Sequence, residues 1–114
     1  MAELRKKQSK FVICLAGLIL DATKKGYELT IGDAYRDPRV HGEMGVKLGY
    51  SHPSSTHKQR LAVDFNVFKG GVLLEGSEAD KAHKELHEFW VSVGGSPMII
   101  GDSNHYSFEE GGIR

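Results

Sequence analysis

The run Ser55-Thr56-His57-Lys58-Gln59-Arg60-Leu61-Ala62-Val63-Asp64, followed well downstream by Asp102-Ser103-Asn104-His105, holds the residue types that a divalent metal needs. It offers two imidazoles and a carboxylate as ligands, and a second carboxylate three residues before the last histidine. Two histidines and one acidic ligand, with a position left for water, is the ligand count of a catalytic zinc site. The extra carboxylate, Asp102, is what such a site needs to move a proton. On spacing alone a plainer reading stands beside this one, with His57 a solvated loop residue and Asp64 a cap.

The other histidines fit a metal less well. His83 and His87 are spaced i, i+4 on an expected helix, with Glu85 and Glu88 nearby. Zinc proteases with a helical His pair need Glu directly after the first His, and Lys84 stands there. At about 100° per residue His83 falls at the edge of that helix's apolar stripe and His87 outside it, so the pair is expected to face solvent. His41 and His52 lack a partner at useful spacing and read as surface or substrate-rim residues. A non-haem iron oxygenase also uses two His and one carboxylate, but its first two ligands normally sit two residues apart, unlike His57 and Asp64. A two-metal phosphoesterase would need further carboxylates that the set lacks.

These residues must be positioned by the elements around them. Leu4, Phe11, Leu15, Leu18, Ile19 and Ala22 form a helical stripe, which Lys24-Lys25 and Gly26 bring to an end. Tyr27, Leu29 and Ile31 alternate with Glu28, Thr30 and Gly32 as a half-buried strand does, ending before Pro38. From Val40 to Thr56 glycines and serines dissolve the pattern into a long loop. Leu61, Val63, Phe65 and Val67 then share one face of a strand, with Ala62, Asp64 and Asn66 on the other. Lys69-Gly70-Gly71 makes a hairpin turn, and Val72-Leu73-Leu74 returns. Ser77 with Asp80 resembles a capping box opening a helix whose inner line is Ala79, Ala82, Leu86, Phe89, Trp90 and Val93. Gly94-Gly95 stops it, and Pro97 to Ile100 and His105 to Phe108 read as two short closing strands. The expectation is a single α+β domain over residues 1–114, with two main helices packed on a small, mainly antiparallel sheet.

Composition excludes several classes. The 114 residues carry 15 basic and 15 acidic side chains, without a basic stripe of the kind that neutralises nucleic-acid phosphates. A single cysteine, Cys14, excludes an internal disulfide and thiolate-rich zinc sites, and its apolar setting reads as a buried, inert thiol. Phe11 to Leu20 follows Arg5, Lys6, Lys7 and Lys10, yet it is short and lacks a small-residue cleavage site. It is also too short to span a bilayer, so a core helix, no stable membrane insertion and folding in a cytoplasm are expected.

Ser55-x-His57, Ala62-x-Asp64 and Asp102-x-x-His105 together resemble the zinc D-alanyl-D-alanine carboxypeptidase and L-alanyl-D-glutamate endopeptidase family, which acts on bacterial cell walls. Its signature is Ser-x-His-x-x-Gly-x-Ala-x-Asp, then a carboxylate three residues before a second His. Gly32 to Arg36 is similar to the family's strand-end arginine segment, and Leu61 to Phe68 to its compact phage and prophage members. The likeness runs from about Gln8 to Phe108. Arg60 replaces the signature glycine, and the tryptophan-rich approach to the last His is missing.

The resemblance implies Zn2+ held by His57, Asp64 and His105, with Asp102 as the catalytic carboxylate. Arg36 would hold a substrate carboxylate or stabilise the oxyanion, its alternative being an ion pair with Asp33 or Asp37. Ser55 would orient the substrate or the loop that carries His57. The implied substrate is the peptidoglycan stem peptide, cut by a monomer in the manner of a phage lysis enzyme released from a bacterial host cytoplasm. A non-catalytic wall-binding module that keeps fold and metal is the alternative, and Asp102 argues against it.

Overall fold

The computed structural model describes residues 2–33 and 59–110. Phe11, Leu18 and Ala22 lie within about 40° of one line down a helix, and that line is the buried face of α1 (Ala2–Lys24). Ile19, expected on the same stripe, is exposed. It sits roughly 80° from the line through Phe11 and Leu18, beyond the reach of the core. Cys14 is only partly buried, and its thiol donates to the Val93 carbonyl at 3.5 Å.

The sheet is built on β2 (Ala62–Lys69). The strand β1 (Glu28–Asp33) runs antiparallel along one edge of β2, with Leu29 opposite Val67 and Ile31 opposite Phe65. The other edge carries two short partners. β3 (Val72–Leu73) pairs at Phe68 and Lys69, and β4 (His105–Ser107) pairs at Ala62 to Asp64. Every strand pairing among the described residues is antiparallel, so the α+β arrangement of two helices on a small sheet is as expected. In the turn after β2 Gly70 and Gly71 both have positive φ, 59° and 78°, which is the backbone of a two-residue I′ hairpin. Ile31 departs from its expected inward place and is exposed, next to a register shift between Ile31 and Asp33.

The second helix, α2 (Gly76–Ser92), buries Ala82, Leu86 and Trp90 against the sheet and α1. The capping box expected of Ser77 and Asp80 is not formed. Glu75 is the N-cap and makes no side-chain cap bond, while Asp80 accepts a hydrogen bond from Ser103 instead. Pro97 to Ile100 is not a strand either, its only ladder contact being one bridge from Ile99 to Asp102. A turn this tight leaves no length for pairing.

One core joins these layers. Phe11 meets the Trp90 and Phe108 rings edge-on at 5.6 and 5.3 Å, and Tyr106 meets Phe65 and Trp90 likewise at 5.7 and 6.1 Å. The Trp90 indole N–H donates to the Ser107 carbonyl at 3.0 Å, so the largest core side chain has its polar atom satisfied. That indole lies against Gly95, where a Cβ atom would stand 2.1 Å from Trp90 Nε1. Gly95→Ala is therefore expected to cost at least about 3 kcal/mol, the upper range for overpacking, since the buried ring has nowhere to move. Urea unfolding of the variant against the parent chain measures it, and an unchanged midpoint would refute the tight approach.

Candidate metal centre

The strand β2 alternates as its sequence dictates. Leu61, Val63, Phe65 and Val67 are buried in the core, and Asp64 and Asn66 stand on the opposite face, half-buried. Pairing with β4 puts Ala62 opposite Ser107, Val63 opposite Tyr106 and Asp64 opposite His105. Because cross-strand partners share a face, Tyr106 goes to the core while His105 and Asp64 meet on the other side. The His105 Nδ1–H donates to Asp64 Oδ1 at 3.1 Å. Ligand atoms of a tetrahedral zinc with bonds near 2.0 Å are about 3.3 Å apart, so the same two atoms, once Nδ1 gives up its proton, have the spacing of neighbouring corners of such a site.

Asp102 enters from the turn before β4. Its backbone N–H bonds to the Ile99 carbonyl at 3.0 Å, and its own carbonyl accepts from the His105 N–H at 3.2 Å. This holds Asp102 Oδ2 4.0 Å from His105 Nδ1, on the same side of the ring as Asp64. The Asp102 side chain is 52% exposed, whereas those of Asp64 and His105 are largely covered. Asp64, Asp102 and His105 are thus brought together. Arg36, Ser55 and His57 lie outside the described residues, as do His41, His52 and the loop from Val40 to Thr56. Among the described residues no set of three or more His, Cys, Asp or Glu side chains could hold a metal ion. A complete centre needs the third ligand expected at His57.

The helix α2 braces the turn that carries Asp102 and His105. Ser103 Oγ donates to Asp80 Oδ1 at 2.7 Å, and His87 Nε2–H donates to the Ser103 carbonyl at 2.9 Å. The Phe65 N–H bonds to the Asn104 carbonyl at 3.0 Å. His83 and His87, expected to face solvent, are both buried. The inward arc of α2 is wider than its apolar residues imply, because Tyr106 supplies partners for both rings. His87 stacks on Tyr106 with centroids 4.1 Å apart and planes 8° from parallel. The Tyr106 hydroxyl and His83 Nδ1 share a hydrogen bond of 2.6 Å. Burial drives both histidines down to about 4, the nearby Asp80 charge opposing this for His83 and the Ser103 carbonyl for His87. Burial likewise raises the Tyr106 hydroxyl well above its ordinary value. The three rings are uncharged near neutral pH, and His87 Nδ1 is buried without a hydrogen-bond partner.

Arg60, at the position of the signature glycine, has φ +59°. It adopts the left-handed backbone that glycine takes freely, just after Gln59, whose carbonyl accepts from Gln8 of α1 at 2.8 Å. The chain matches no protein-family model, no curated protein and no solved structure.

Two outcomes are expected. Arg60→Gly and Arg60→Ala both remove the side chain, so their difference isolates the backbone, and the glycine variant should be more stable by about 1 kcal/mol. Equal denaturation midpoints would refute the strained conformation. The two buried imidazoles bind protons in the unfolded chain below about 6.5 but in the folded chain only near 4. Their contribution is therefore complete above about pH 6.5 and is lost as the pH falls toward 4, at less than about 1.4 kcal/mol per pH unit for each ring. Urea midpoints measured across that range should fall with acid, and His83→Gln should flatten the slope.

Proposed function

We propose that this chain is a zinc-dependent peptidase that hydrolyses an amide bond in the peptidoglycan stem peptide, an L-alanyl-D-glutamate endopeptidase or D-alanyl-D-alanine carboxypeptidase. The observation that supports it most is the meeting of Asp64, His105 and Asp102 on the polar face of β2 and β4, with the carboxylate of Asp102 4.0 Å from the imidazole of His105. In this reading His57, Asp64 and His105 hold the ion. When bound, zinc supplies a Lewis acid and acidifies a coordinated water to a pKa of about 7.

The protein groups then divide the remaining work. Asp102 is the group open enough to reach substrate and close enough to the ligands to take a proton from the attacking water. It returns that proton to the leaving amine. Arg36 binds a free carboxylate of the stem peptide or the developing oxyanion, and Ser55 orients the peptide or the segment bearing His57. The enzyme acts as a phage or prophage lysis protein, made in the cytoplasm of a bacterial host and reaching the wall after release. No helix among the described residues is long and apolar enough to cross a membrane.

Peptide release from purified cell walls tests the reading. Chelation should abolish release and added zinc should restore it. Asp102→Asn should lower the rate by about 10²- to 10⁴-fold while zinc stays bound. Release that survives chelation, or an undiminished rate in Asp102→Asn, sinks the proposal. Mass spectrometry of the products identifies the bond.

A further inference from the structure

The helix α1 has a second face that the core does not use. Opposite Phe11, Leu18 and Ala22, the side chains of Val12, Ile13 and Leu20 are 63, 72 and 65% exposed, and Ile19 beside them is exposed too. Ala16 lies in the middle of this arc. Its polar members sit at its two ends, Arg5, Lys6 and Ser9 toward the N-terminus and Thr23 and Lys24 toward the C-terminus. The helix's acids, Glu3 and Asp21, fall roughly 120° from the centre of the arc, and Asp21 is paired with Lys25. A helix face turned to water is normally polar throughout. This one is apolar along its middle, cationic at both ends and free of carboxylates.

We propose that the outward face of α1 docks, lying flat, on an anionic lipid surface. Charge complementarity selects this occupant. A second copy packed antiparallel would lay Arg5 and Lys6 over its partner's Lys24, and a parallel copy would lay each cation on its equivalent. The arc offers no acid to relieve either arrangement. On a bilayer the four aliphatic side chains enter the boundary between headgroups and acyl chains. The stems of Arg5, Lys6 and Lys24 reach up to the lipid phosphates. The helix rests on the membrane without crossing it. None of Asp64, Asp102 and His105 belongs to α1, so the docking face stands or falls independently of the peptidase reading.

Sedimentation of the full chain with vesicles measures the partition directly. Equimolar phosphatidylglycerol and phosphatidylcholine should bind it at least about tenfold better than phosphatidylcholine alone, and added salt should erase the difference. Ile13→Ser with Leu20→Ser should lower binding to the anionic vesicles on the order of tenfold, while circular dichroism and the urea midpoint hold. Arg5→Gln with Lys6→Gln should lower it about fivefold per cation and leave neutral vesicles unaffected. Equal binding to both vesicle types, or no loss in the Ile13→Ser, Leu20→Ser variant, overturns the proposal. A concentration-dependent dimer that this same variant abolishes also overturns it, in favour of a second copy.

Discussion

The register between β2 and β4 governs the molecule. Val63 faces Tyr106 across it, and Asp64 faces His105 one residue further on. The first pair lies in the aromatic core and the second is the start of the candidate centre, so a single set of backbone hydrogen bonds aligns both. A slip of one residue would send Tyr106 to the polar face and His105 into the core, which has no place for its ring. The energy that holds the site in register is therefore mostly apolar burial by Leu61, Val63, Phe65 and Val67 on the far side of the strand.

The helix α2 adds the third dimension. Through Asp80 and His87 it grips Ser103 by side chain and by backbone, and Ser103 lies between Asp102 and His105. Tyr106 reaches the same helix from the core side through His83 and His87. The strand β4 is thus held to α2 through Tyr106, and its preceding turn through Ser103. Neutral buried rings suit this role, because a charged ring there would lack solvation that the tyrosine could not replace.

Much of this was legible in the chain. The alternation from Leu61 to Val67, the Gly70-Gly71 turn and the stripes of both helices depend on neighbours a few residues away, and local pattern reads such neighbours well. Asp64, Asp102 and His105 were legible because strand alternation and a short turn fix which way they point. Two of the places where expectation and structure part share a cause, a partner far along the chain. His83 and His87 look like surface residues until Tyr106 and Ser103, 23 and 16 residues downstream, supply hydrogen bonds. Asp80 looks like a capping residue until Ser103 takes its carboxylate. The left-handed backbone of Arg60 was not legible either, since nothing about an arginine marks a positive φ.

The separation of the paired strands also shapes how the protein comes to be folded. The hairpin of β2 and β3 closes through a two-residue turn, but the contact between Asp64 and His105 closes a loop of 41 residues. Loops of that length form late, and pairings that depend on them slow folding. The arrival of β4 also delivers Tyr106 and Phe108, the rings that complete the aromatic cluster around the Phe11–Trp90 pair. Completion of the core and juxtaposition of Asp64 and His105 are consequently the same kinetic event. A partly folded chain with β4 still detached has neither, and so cannot display half a site.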